Sequence, residues 1–103
     1  MLKDPEIEKS IIVSTCHVTH HDMKLLEDFT KHPIDGCIVE KSEFRVRIYI
    51  GEELKNTDKM LVENGLSHAC VELVKMVSKV EGIKWLVLDC DGKVHKEIPK
   101  FDW

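Results

Sequence analysis

Two short stretches gather the residue types that do chemistry. Cys16-His17-Val18-Thr19-His20-His21 places one thiol and three imidazoles within six residues, the ligand types that zinc takes. Asp89-Cys90-Asp91-Gly92 sets two carboxylates beside a second thiol. A closed zinc site needs four protein ligands, and a catalytic one needs three plus an open position. Local spacing does not supply them. In a helix that opens at His20, the side chains of His20 and His21 point about 100° apart. Further ligands would have to come from Cys37, Cys90 or Asp91. Solvated first-turn histidines are the simpler reading, and a cationic His is disfavoured at the positive end of a helix. No resident cofactor is expected. The alternative is zinc, or another small ligand, held by Cys16, His17, His20, Asp89 and Asp91.

Taken alone, residues 85–92 (Trp-Leu-Val-Leu-Asp-Cys-Asp-Gly) resemble the strand and Asp-x-Asp-Gly that open haloacid-dehalogenase-type phosphatases. That resemblance implies a nucleophilic Asp89, an acid/base Asp91 and magnesium between them. Only eleven residues follow Gly92, so the lysine and further carboxylates of that fold have no place, and Lys93 stands where threonine is usual. An EF-hand loop fails too, since the twelfth position from Asp89 is Lys100 where a glutamate is needed. Asp91-Gly92 reads as a turn. No catalytic constellation emerges, and the expectation leans away from an enzyme.

The third candidate is a surface. Residues 44–50 alternate, with Phe44, Val46, Ile48 and Ile50 on one face and Arg45, Arg47 and Tyr49 on the other. Open antiparallel sheets with arginine and aromatic groups bind single-stranded RNA in RRM-type domains. Here Lys plus Arg is 15 against 19 Asp plus Glu, a net charge of -4, which argues against direct nucleic-acid binding. A protein partner suits the face better, because Arg and Tyr are enriched at interface hot spots. Arg45, Arg47 and Tyr49 are therefore the expected partner-binding residues.

The elements that must position these groups follow from pattern. Residues 11–16 are β-branched and read as a buried strand. Thr19 with Asp22 forms a capping box, Val18 and Met23 a hydrophobic staple, and Met23, Leu26 and Phe29 one helical face that His32-Pro33 ends. Residues 37–40 and 44–50 read as a hairpin turning near Lys41-Ser42. Asn56-Thr57-Asp58 opens a short helix stopped at Asn64-Gly65, and Ser67 caps a longer one stopped by Gly82. Residues 83–88 form the last strand. The tail, 98–103, is expected to pack back as an anchor, with Trp103 against Trp85 or Phe101; the alternative is an exposed aromatic motif that binds a partner.

The order is strand, helix, strand, strand, helix, strand. This predicts a single α+β domain over residues 1–103, a βαββαβ ferredoxin-like antiparallel sheet with helices on one face. The alternative is a mixed αβα sandwich. In the antiparallel version the first and last strands are neighbours running in opposite directions, which puts His17 and Asp89 at opposite ends. Four cysteines without a CxxC spacing, no apolar run near the ~18 residues of a membrane helix and a polar opening predict reduced thiols, no membrane and a cytoplasmic location.

Two segments together resemble a known group. Residues 12–19, Ile-Val-Ser-Thr-Cys-His-Val-Thr, are similar to an Ile-Ser-Thr-x-His opening. Residues 85–92 with the closing Ile98-Pro99-Lys100-Phe101-Asp102-Trp103 are similar to a Trp-Leu-x-Leu-Asp-x-Asp-Gly and Leu-Pro-x-(Phe/Tyr)-(Asp/Glu)-Trp ending. The pair looks like a family of small uncharacterised proteins of bacterial plasmids, prophages and phages. The chain departs from it at Phe44-Arg45-Val46-Arg47-Ile48, where the family commonly reads Tyr-Gly-(Trp/Phe)-Phe-Val, and at Ile98, where Leu is usual. The resemblance implies a mobile-element setting and transfers no catalytic residue. It leads to the expectation of a non-enzymatic accessory protein that binds another protein. An example is a phage or mobile-element inhibitor of a host defence or nucleic-acid-binding protein, of the anti-CRISPR kind. The alternative is a metal- or small-ligand-dependent enzyme or sensor built on the His17/His20 and Asp89/Asp91 regions.

Overall fold

The computed structural model describes residues 8–51 and 56–103, so the polar opening read above lies outside the described residues. Four strands and three helices follow in the order β1 (Lys9–Ser14), α1 (His20–Lys31), β2 (Val39–Ser42), β3 (Arg45–Tyr49), α2 (Thr57–Glu63), α3 (His68–Ser78) and β4 (Ile83–Asp89). A 3₁₀ turn at Thr15–His17 links β1 to α1. The fold class is α+β, and all three helices lie on one face of the sheet. Leu26 and Phe29 of α1, Leu61 of α2, and Cys70, Leu73, Val74 and Val77 of α3 meet Val13, Val46, Ile48, Leu86 and Leu88 in one core.

The sheet order is β1-β4-β3-β2. The first and last strands are neighbours, as expected, but β1 runs parallel to β4 while β3 pairs antiparallel to both β4 and β2. The wholly antiparallel sheet is thus corrected to a mixed one. The two strands' surfaces account for their places in the order, though not for their direction. β4 is buried at six of its seven residues, Lys84 alone being half-exposed, as a central strand must be. β1 opens with exposed Lys9 and Ser10, which suit an edge.

Local rules hold at the starts of α1 and α3, whereas Asn56 makes no side-chain cap bond at the start of α2. Thr19 accepts from the Asp22 N–H and Asp22 Oδ2 accepts from the Thr19 N–H, both at 3.0 Å, completing the capping box. Ser67 Oγ accepts from the Cys70 N–H at the start of α3. The hairpin turn sits at residues 43–44, with Ser42 opposite Arg45, two residues beyond the predicted place. A turn at Lys41-Ser42 would set Glu40 opposite Glu43, whereas the observed register sets Glu40 opposite Arg47. Phe44 therefore leaves the apolar face of β3 and is 66% exposed at the tip. Strand β1 also ends earlier than predicted, because Ser14 Oγ accepts from the Cys16 N–H and starts the 3₁₀ turn. Among the described residues, no helix is long and apolar enough to cross a membrane.

Candidate functional site

Parallel pairing sends β1 and β4 off the same end of the sheet, with Ser14 beside Asp89. His17 and Asp89 therefore share an end, against the expectation from an antiparallel sheet. Their functional atoms are nonetheless engaged in holding the fold. The His17 side chain is fully buried, its Nδ1–H donating to the Pro99 carbonyl at 3.0 Å and its Nε2 accepting from the His95 N–H at 2.9 Å. Those partners set a neutral imidazole protonated on Nδ1. The tail is held further by the Phe101 N–H on the Cys16 carbonyl and by the Trp103 indole N–H on the Val18 carbonyl, both within 2.9 Å. Trp103 is not packed on Trp85 as expected. It stacks on His20 at 5.0 Å between ring centroids and stays 53% exposed.

Asp89 is equally occupied. Its Oδ1 accepts from the Asp91 N–H at 2.8 Å and its Oδ2 from Arg45 Nε–H at 2.5 Å. The Asp91 N–H holds this carboxyl below the ordinary carboxylate range; Arg45 adds to that and desolvation opposes it. Gly92 N–H closes the turn on the Asp89 carbonyl. The Asp-x-Asp-Gly run is thus a strand-ending turn, with its first carboxylate already bound. Ligand atoms of Asp89, Cys90 and Asp91 lie within 4.8 Å of one another, the one such grouping among the described residues, and His17 and His20 are not in it. Both Asp89 oxygens already carry a partner, Arg45 on one and the Asp91 N–H on the other, and a cation there would have to share them. Burial pushes the Cys37 thiol up to about 11 and that of Cys70 up to about 12, which makes neither a nucleophile near neutral pH.

The pocket at this end of the sheet, about 450 Å³, is walled by His20, Met23, Phe44, Cys90 and Trp103 among others. His17, Asp89 and Asp91 are not in its walls. Of the residues weighed as ligands, His20 and Cys90 face this space.

The opposite, helix-free face of the sheet is organised differently. Cross-strand register lays Ile12, Val87, Arg47 and Glu40 in one row and Ser14, Asp89, Arg45 and Ser42 in the next. Both predicted arginines are exposed on this face. Arg47 pairs with Glu40 at 2.7 Å and places its guanidinium 4.0 Å from the centroid of the Trp85 ring. Tyr49 meets the same ring edge-on at 5.0 Å. Two of the three predicted partner-binding residues, Arg47 and Tyr49, therefore converge on Trp85, which was not among them, while Arg45 lies on Asp89. The Trp85 signal was present but masked. Trp85, Val87 and Asp89 alternate with Leu86 and Leu88, and an apolar run on both faces of a central strand hides which face each residue takes. A groove of about 420 Å³ crosses this face between β1 and the hairpin, lined by Ser10, Ile12, Val87, Ser42, Arg45 and Arg47 with Glu40 and Lys41.

Residues 10–103 match a family of unknown function, DUF5983, over its C-terminal domain. The chain belongs to this family. The matched span begins in β1 and reaches the last residue, so it takes in the open sheet face, the Asp-x-Asp-Gly turn and the tail. Both end motifs that suggested an uncharacterised family lie inside it. No curated protein and no solved structure matches the chain.

Proposed function

We propose that this domain is a non-enzymatic protein-binding module whose working surface is the helix-free face of its sheet. One observation carries the proposal: Arg47 lies over the Trp85 ring, with Tyr49 against its edge, in the middle of the face that no helix covers. Trp, Tyr and Arg are the residue types that dominate binding energy at interfaces, most of all where packing already orders them. The guanidinium is held by both Glu40 and the ring, so little side-chain freedom would be lost on docking. In a cytoplasmic, mobile-element setting the partner would be a host defence or nucleic-acid-binding protein that the domain inhibits by occupancy. The enzyme or sensor alternative draws no support from a site in which the His17 nitrogens and the Asp89 oxygens all have intramolecular partners.

The test is capture of a stoichiometric partner from bacterial lysate, with and without phage infection, by wild type and by an Arg45→Gln, Arg47→Gln variant. Glutamine keeps the stems and removes the charge without setting a second carboxylate against Asp89. Loss of the partner in the variant is expected. Equal capture by both proteins would overturn the assignment of this face.

A further inference from the structure

We infer that the C-terminal tail is a proton-released latch: it closes on the neutral His17 ring and opens when that ring takes up a proton. Both ring nitrogens are engaged by the tail. Nδ1–H donates to the Pro99 carbonyl at 3.0 Å, and Nε2 accepts from the His95 N–H at 2.9 Å. A second ring proton has only Nε2 to go to, where it would set one N–H against another. The side chain has no exposed surface, so water cannot take that donor up. Burying a charge without an acceptor costs more than the tail's bonds return, and the tail gives way. The attachment is also concentrated at this point. The hydrogen bonds that join residues 95–103 to the body of the domain fall on three consecutive residues, Cys16, His17 and Val18.

The surrounding elements hold no spare counter-charge for an imidazolium. On the tail, the His95 ring lies 6.0 Å from the His17 ring between centroids, and its Nδ1 stands 3.5 Å from Glu97 Oε1. The other charged groups of the tail, Lys93, Lys96, Lys100 and Asp102, are exposed. The carboxylate of Asp22 in α1 is taken up by Thr19 and Ser67, and that of Asp89 in β4 by Arg45 and the Asp91 N–H. His20, also in α1, stacks on Trp103. α3 packs against the 3₁₀ turn and brings Cys70, a buried thiol pushed up to about 12 and so neutral, with exposed His68 and Glu72 beside it. Free histidine titrates near 6.5, so the closed tail is fully favoured above that pH and loses about tenfold for each unit below it. Opening would free the Cys16 and Val18 carbonyls, expose Ile98 and take Trp103 out of the pocket wall between α1 and the hairpin. The proton would thus govern access to that pocket.

The experiment is amide hydrogen exchange of the full chain, reading Phe101 in the tail against Leu86 in the central strand so that the intrinsic pH dependence of exchange cancels. The Phe101 N–H, bound to the Cys16 carbonyl, is a cleaner reporter than Trp103 fluorescence, which also feels the His20 ring. Protection of Phe101 relative to Leu86 should fall about tenfold between about pH 7.5 and 5.5. His95→Gln keeps the backbone N–H that His17 accepts, and His20→Gln leaves the latch untouched, so both should respond as wild type does. In His17→Gln the side-chain oxygen can take the His95 N–H and cannot titrate, so the ratio should stay flat whether the tail is held or loose. A flat ratio in wild type, or a fall of the same size in His17→Gln, would overturn the latch. A response lost in His95→Gln or His20→Gln would move the proton to that ring and overturn it equally.

Discussion

The Asp22 carboxylate caps two helices at once: besides closing the box with Thr19, it accepts from the N–H of Ser67 at 2.7 Å and from its hydroxyl at 2.5 Å, tying the start of α1 to the start of α3. Asp22 has no exposed surface, so these donors and its position at two positive helix ends are what make a buried charge tolerable there. Removing it leaves several N–H groups unmatched. Asp22→Ala should cost about 3 kcal/mol and Ser67→Ala about 1–2 kcal/mol. In a double-mutant cycle by urea unfolding the pair should be coupled by more than about 0.5 kcal/mol. Additive losses would mean the two helix starts are independent.

The same contact makes an acid-sensitive element. Burial raises the pKa of Asp22, but the hydrogen bonds from the Ser67 hydroxyl and amide and from Thr19 outweigh it and leave the group lowered. A carboxyl depressed in the folded state stabilises fully above its unfolded value, near 4, and that contribution is lost as pH falls through the folded value. The stability gap between wild type and Asp22→Asn should thus be constant from pH 7 to about 5 and shrink below about 4. A gap that widened on acidification would reverse the sign assigned here.

His17 holds the tail through the Pro99 carbonyl and the His95 N–H. His17→Leu keeps the bulk and removes both bonds, leaving the Pro99 carbonyl and the His95 N–H unmatched, at about 2–4 kcal/mol together. Amide exchange at His95 and Phe101 should accelerate well before that at Leu86 in the central strand. Uniform acceleration across the chain would place His17 in the global core and not in a tail latch.

How far the sequence spoke depends on how local each cause was. The Thr19–Asp22 box and the Ser67 cap were legible because donor and acceptor lie within three residues. The Asp22–Ser67 tie was not, because 45 residues separate them and either cap is complete by itself. Arg45, Arg47 and Tyr49 were placed on one face by simple alternation, which register slips of two residues do not disturb. Phe44 was misplaced by such a slip, since the turn was judged from residue type and the decisive contact was Glu40 across from Arg47. Strand direction was least legible. The pairing of Val13 with Leu88 is a contact across most of the chain, and the polarity of a strand marks it as edge or centre without giving its direction.

Gly92 passes so close to β1 that a Cβ built on it would stand 2.5 Å from the carbonyl carbon and oxygen of Val13. Backbone cannot yield as a flexible side chain can, so Gly92→Ala should cost about 2 kcal/mol or more. Gly82 is the control, being left-handed with open space around it; Gly82→Ala should cost about 1 kcal/mol from backbone strain alone. Equal losses of Tm would show that the crossing of the tail over β1 is looser than the contact distance implies.

The four cysteines are all free, but they differ in access. Cys90 is exposed, while Cys37 and Cys70 are buried and their thiols are raised to about 11 and about 12. A thiol reagent at pH 7.5 should modify Cys90 quickly and reach Cys37 and Cys70 only on the timescale of unfolding, because the thiolate is the reacting form. Rapid modification of Cys70 in the folded chain would contradict the packing between α3 and the sheet.

Arg47 and Trp85 separate binding from stability. Trp85 is only 6% exposed although no helix covers it, and the guanidinium 4.0 Å above its ring is the cover. Arg47→Ala removes an exposed ion pair and one cation–π contact, together worth about 1 kcal/mol or less. In a Trp103→Phe background, where Trp85 is the remaining indole, the substitution should red-shift the emission and raise acrylamide quenching while Tm barely moves. Partner affinity should fall in the same variant, since the hot-spot side chain and its ordered ring contact are lost together. A large loss of stability with unchanged affinity would make Arg47 a structural lid over the sheet and remove it from the binding surface.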